Sequence, residues 1–190
     1  MHDRDADNAG GLEALMTAYQ GGSLPAFERL YADVAPALLG YLTSLARDRW
    51  RAQDLLQEAF LQIHRSRRAY RPGLPVRPWV FAIARHVWLM DRRARGRRPD
   101  TVPGGQSATV PTLPNLPVPP EVDGLAERDR LTRALSTLPP DRREALLLHH
   151  VWGFSFAEIG QMLGIRADAA KLRSSRGMAD LRRALGGDRG

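Results

Sequence analysis

Eleven arginines lie between residues 64 and 98 against one acid, Asp91, and the same stretch holds Tyr70, Trp79, Phe81 and Trp88. Guanidinium groups neutralise phosphates, and aromatic faces stack on bases that have left a duplex. Trp79, Phe81, Arg85, His86, Trp88, Arg92, Arg93 and Arg95 therefore have the chemistry of a single-strand nucleic-acid surface. A second cluster comprises Arg166, Lys171, Arg173, Arg176, Arg182 and Arg183 near the end of the chain. It follows Ser155 and Glu158, which have capping-box spacing, and Gly164, which suits a tight turn. A short helix, a glycine turn and a longer basic helix form a helix-turn-helix, whose second helix can enter a major groove.

Charge is unevenly distributed along the 190 residues. Residues 1–63 carry a net −4, 64–98 a net +10, 99–130 a net −3 and 131–190 a net +4, giving +7 in all. A solvated face explains scattered charge, but not so dense a single-sign run beside aromatics.

The elements that must position these groups read as helices. Residues 1–11 are expected to be a disordered tail, with helical spacing from Leu12 through Leu15, Met16 and Tyr19. A second helix starts near Leu24-Pro25 and carries Phe27, Leu30, Tyr31 and Val34 on one face. A third spans about Arg51 to Arg68, with an apolar stripe at Leu55, Leu56, Ala59, Phe60 and Ile63. After the Tyr70–Pro78 loop a fourth starts at Trp79, with Val80, Ile83, Ala84 and Val87 inward. Asp91 and Arg95, one turn apart, are expected to pair.

Seven of the fourteen prolines fall in residues 99–124, which marks a linker. Helical spacing resumes at Leu125, Asp141 is expected to cap a further helix, and Gly153 to end it. The expectation is an all-α protein of two small helical domains, 12–98 and 125–186, joined by the 99–124 linker. Extended as polyproline II, those 26 residues would reach about 80 Å.

Several function classes are disfavoured. Cysteine is absent, which removes disulfides and thiolate chemistry. His64, His86, His149 and His150 lack metal-ligand spacing, and no HExxH, Walker or GxSxG motif occurs. Neither catalytic residues nor a metal or cofactor is expected. No apolar run reaches the roughly 18 residues of a membrane span, and the polar N-terminus is unlike a signal peptide. A cytoplasmic location follows as an expectation. A nuclease lacks its carboxylate cluster, and a stand-alone helix-turn-helix regulator leaves the first basic block without a task.

Taken together, the two blocks resemble bacterial RNA polymerase sigma factors of the extracytoplasmic-function type. The resemblance rests on Gln20–Tyr31, on Ala52-Gln53-Asp54-Leu55-Leu56-Gln57-Glu58-Ala59-Phe60, on Val76–Arg95, and on Leu138-Pro139-Pro140 through Leu185. It implies a specificity subunit that binds core polymerase and promoter DNA, typically under an anti-sigma factor. Asp54, Leu55, Gln57 and Glu58 would dock on the β′ clamp. Arg71, Arg77, Trp79, Arg85, Trp88, Arg92, Arg93 and Arg95 would bind the −10 element. Arg166, Lys171, Arg173, Ser174 and Arg176 would bind the −35 element, with the same domain touching the β flap. This sequence departs from the family pattern at Gly22, where aspartate is common, and at Gly160, where alanine is usual. Ala170 and Ser174 replace larger apolar residues, which implies a loosely packed C-terminal domain.

Overall fold

The computed structural model describes residues 3–96 and 125–186. Eight α-helices and no strand occur among them: α1 (Asp3–Gln20), α2 (Leu24–Ala46), α3 (Arg49–Ser66), α4 (Val76–Gly96), α5 (Leu125–Thr137), α6 (Pro140–His150), α7 (Phe156–Leu163) and α8 (Ala167–Gly186). A 3₁₀ turn at Arg67–Ala69 follows α3. Contacts divide the chain into two compact units, one built on α1–α4 and the other on α5–α8, with residues 43–48 grouping with the second. The expected linker at 99–124 lies outside the described residues.

In the first unit the core stripes follow the 3.6-residue period. Leu12, Met16 and Tyr19 of α1, Leu30, Val34 and Leu38 of α2, and Ala52, Ala59 and Ile63 of α3 are buried. Helix α4 adds Val76, Val80, Phe81, Ala84, Val87 and Trp88. Phe81 belongs to this core, its ring 5.1 Å from that of Tyr41. Pro36 sits inside α2, exposed, where its ring meets solvent rather than the core.

The start of α1 corrects one expectation. The helix begins at Asp3, so residues 3–11 belong to it rather than to a disordered tail.

In the second unit α7 is capped as its sequence requires. Ser155 Oγ accepts from the Glu158 N–H at 3.3 Å, and Glu158 Oε2 accepts from the Ser155 N–H at 2.8 Å. Gly164 ends the helix at φ +68, a left-handed conformation that costs glycine little. The glycine at 160 is a packing requirement, since a Cβ there would lie 2.8 Å from the Ile165 carbonyl oxygen. The turn into α8 therefore passes directly over the backbone of α7.

Helix α6 begins after Pro139, and Asp141 stands in its first turn without capping it. The Asp141 carboxylate lies instead 3.5 Å from Arg173 Nε, which corrects the expected cap. The expectation of loose packing is also corrected. Ala170 and Ser174 are 0% and 2% exposed and, with Gly177, lie on the buried face of α8. At Gly177 a Cβ would approach the Arg142 carbonyl oxygen to 2.9 Å. Small residues let two helix backbones come close, so small here means tight. An Arg142–Asp180 ion pair at 2.7 Å ties the same two helices.

Candidate nucleic-acid interface

The basic run of the first unit divides into exposed, half-buried and sequestered groups. Arg71 in the loop and Arg92, Arg93 and Arg95 at the end of α4 are exposed, whereas Arg77, Trp79 and Arg85 are half-buried. The Trp79 ring packs 5.3 Å from Tyr70, so it forms one wall of the loop. Trp88 is only 9% exposed, with the Arg92 guanidinium 5.3 Å from its ring centroid. Trp88 thus fills the inner face of α4 and supports Arg92, which corrects the expectation of a base-stacking surface there.

Asp91 tempers the charge of this run. It pairs with Arg95 at 2.8 Å, as the one-turn spacing predicts, and also with Arg51 of α3. The second pairing could not be read from sequence, because forty residues separate the partners. It joins α3 to α4, so that one carboxylate engages two cations.

On α3 the residues expected to dock on polymerase separate by register. Asp54, Gln57 and Glu58 are exposed. Leu55 is 3% exposed and belongs to the core, which corrects its assignment as a contact. A groove of about 580 Å³ runs between α3 and α4, floored by Leu55 and Val87 and rimmed by Asp54, Glu58, His86 and Met90. Met90 is 46% exposed and is not among the residues expected from sequence, although its position one turn after His86 gave the signal.

Helix α8 presents two faces. Ala170, Ser174, Gly177 and Leu181 are buried, and Asp168, Lys171, Leu172, Ser175, Arg176 and Ala179 are exposed. The exposed set follows i, i+3, i+4, i+7 and i+8, a single stripe. Ser174 lies on the opposite face, so its assignment as a DNA contact is corrected. Arg173 lies between the faces, its guanidinium turned toward Asp141. Arg166 is 3.5 Å from Asp168, with both side chains 88% exposed, so solvent screens that pair. Leu172 and Ser175 were not anticipated, and only the register fixed by Lys171 and Arg176 could have found them.

His149 and His150, weighed as a metal site from sequence, have other roles. His149 Nδ1 is 2.8 Å from the Phe154 carbonyl oxygen, and its ring stacks on Phe156 at 4.2 Å. Burial and the neighbouring His149 hold His150 below the ordinary histidine pKa.

Comparison with known proteins decides what these surfaces belong to. Residues 30–98 match the Sigma-70 region 2 family and residues 128–181 match Sigma-70, region 4. RNA polymerase sigma factor CarQ of Myxococcus xanthus is 38% identical over 179 residues, covering 90% of this chain and 95% of that protein. ECF RNA polymerase sigma factor SigM of Mycobacterium tuberculosis is 30% identical, covering 90% of this chain and 83% of that protein. The chain belongs to the ECF RNA polymerase sigma factors. A solved sigma factor, RpoE from Bartonella quintana in complex with the anti-sigma factor NepR, shares the fold. Its TM-score is 0.66 at 24% identity, over 86% of this chain and 98% of that one. As a sigma factor the protein is a non-enzymatic, DNA-binding subunit that works with core RNA polymerase in transcription initiation. The stand-alone regulator is not favoured, since region 2 accounts for the first basic block. No helix among the described residues is long and apolar enough to cross a membrane.

Proposed function

We propose that the sigma factor docks on the polymerase β′ clamp through Asp54, Gln57 and Glu58 and reads promoters with two separate heads. The loop at 70–75 and α4 bind the melted −10 element through Arg71, Arg77, Trp79, Arg85, Arg92 and Arg93. The exposed stripe of α8, with Arg166 before it, binds the −35 element, and the same domain meets the β flap. Residues 12–98 and 125–186 act as domains and 99–124 as their tether, in the cytoplasm. The observation that carries this reading is the pairing, in one chain, of a polar exposed α3 edge with two exposed basic helices. Among solved structures of this fold, RpoE is held by the anti-sigma factor NepR and CnrH is in complex with the cytosolic domain of CnrY. An anti-sigma factor covering the α3–α4 groove is accordingly part of the proposal.

Gln57→Ala with Glu58→Ala tests the docking surface. Both side chains are exposed on a helix held by its other face, so thermal unfolding should stay nearly unchanged. Affinity for core polymerase should fall about tenfold or more, since truncated interface anchors cost over 1 kcal/mol. Holoenzyme assembly at wild-type affinity would show that the clamp binds elsewhere.

At the far end of the first unit, Arg92→Ala with Arg93→Ala should reduce affinity for premelted promoter DNA. It should also flatten the dependence on salt, by about 0.7 in slope for each single-strand phosphate that is no longer neutralised. A slope equal to wild type would remove these residues from the phosphate path.

A further inference from the structure

We propose that Glu13 and Gln20 of α1 are positioning residues for promoter opening, holding the 70–75 loop in the shape that receives an unstacked base. The inference rests on the proposed function, in which this loop touches the melted −10 strand. Residues 71–75 are exposed, include two prolines, and turn at Gly73 with φ +86. A short exposed loop with few internal contacts is ordinarily the mobile part of a domain. Here both of its ends are held from a helix fifty or more residues upstream. Gln20 Nε2 donates to the carbonyl oxygens of Arg67 and Tyr70, each at 2.7 Å. Glu13 Oε1 accepts from the Val76 N–H at 2.9 Å and so caps the first turn of α4 from outside. Between these anchors the buried Tyr70 donates its hydroxyl to the Leu74 carbonyl and packs its ring against Trp79.

The spacing on α1 fits this task. Residues seven apart share a helix face and stand about 10 Å apart along the axis, matching one side chain to each end of the loop. Leu12, Met16 and Tyr19 pin α1 in the core independently of both contacts. Glu13 Oε2 is buried with no hydrogen-bond partner among the described residues. Leaving a buried acceptor unpaired costs stability. A side chain selected for stability alone would not need that second oxygen. The arrangement makes sense if what matters is where the Val76 N–H, and with it the start of α4, is held.

The test uses holoenzyme on a duplex promoter that carries a fluorescent base analogue in the −10 element. Glu13→Met and Gln20→Met are close in volume to the originals and remove the polar contacts, the first together with the carboxylate charge, which Glu13→Gln also lacks. Each should slow strand opening about ten- to a hundredfold, the scale of misplacing a reacting group by about 1 Å. Core affinity and −35 duplex binding should stay within about twofold. Glu13→Gln keeps an acceptor oxygen and should restore opening to within about threefold of wild type. Opening at the wild-type rate in both methionine variants would overturn the inference. So would a parallel loss of core affinity and opening, or failure of Glu13→Gln to rescue, because either would mark a general structural role. If a methionine variant does not fold, Gln20→Glu removes the donated hydrogen bonds at similar size and decides the matter by the same readouts. Replacing residues 71–75 by Gly and Ser serves as the separate control. Unchanged opening there would sink the assignment of the loop itself, and a defect there with normal methionine variants would sink only the brace.

Discussion

Gly177→Val should unfold the α6–α8 packing while leaving α1–α4 intact. The first atom added at that position would lie 2.9 Å from the Arg142 carbonyl oxygen and 3.3 Å from Leu146 Cδ1. Neither α6 nor α8 can yield easily, because the Arg142–Asp180 ion pair ties the same two helices beside this position. Overpacking of this kind costs about 3 kcal/mol or more when backbone stands in the way. A unit of about 60 residues has only about 3–9 kcal/mol of stability to lose. Amide exchange on the full chain should show protection across residues 140–186 falling at least a hundredfold, with residues 24–66 unchanged. Ala179→Val is the control, exposed on the same helix, and should cost only a few tenths of a kcal/mol through helix propensity. Equal protection in both variants would mean that α6 and α8 do not meet at Gly177.

Lys171→Ala with Arg176→Ala should lower holoenzyme affinity for −35 duplex about a hundredfold, whereas Arg173→Ala should cost much less. A specific base contact contributes about 1–3 kcal/mol, and a phosphate contact adds about 0.9 to the salt slope. Lys171 and Arg176 stand on the exposed stripe of α8. Arg173 is turned toward Asp141 at 3.5 Å. Sequence alone would rank the three cations together, since all lie within six residues on one helix. A reversed order, with Arg173→Ala severe and the double variant mild, would place the opposite edge of α8 in the groove.

The legible and the hidden parts of this protein divide along a physical line. Apolar periodicity located every helix to within a few residues, because burying Leu30, Ile63 or Ile159 requires it. Only the start of α1, where that periodicity is absent, was misplaced. Local polar chemistry was legible too, except at Asp141, which pairs with Arg173 instead of capping α6. Ser155 and Glu158 cap α7, Gly164 turns left-handed, and Asp91 meets Arg95. What escaped was anything carried by small residues or by distance. Ala170, Ser174 and Gly177 carry little hydropathy, so a tight helix crossing resembled a weak one. Ser174 could be taken for a polar contact because a serine fits equally well on a surface or in a close crossing. Trp88 offered the same ambiguity, and only burial assigned its ring to the inner face of α4. The contacts of Glu13 with Val76 and of Arg51 with Asp91 span 63 and 40 residues, and no local pattern announces them.

Lys171 is the only lysine in the sequence, the other cationic side chains being arginine and histidine. A protease specific for lysine therefore has one peptide bond to cut, and that bond lies inside α8. Cleavage requires an extended backbone, so an intact helix resists and only locally opened molecules are nicked. The rate of that single cut would report how often α8 unwinds, free or with polymerase, without any label or engineered site. Amine-reactive reagents would likewise find, among the side chains, one target on the exposed stripe of α8. Shielding of that target by DNA would turn the lysine into a footprint of −35 occupancy.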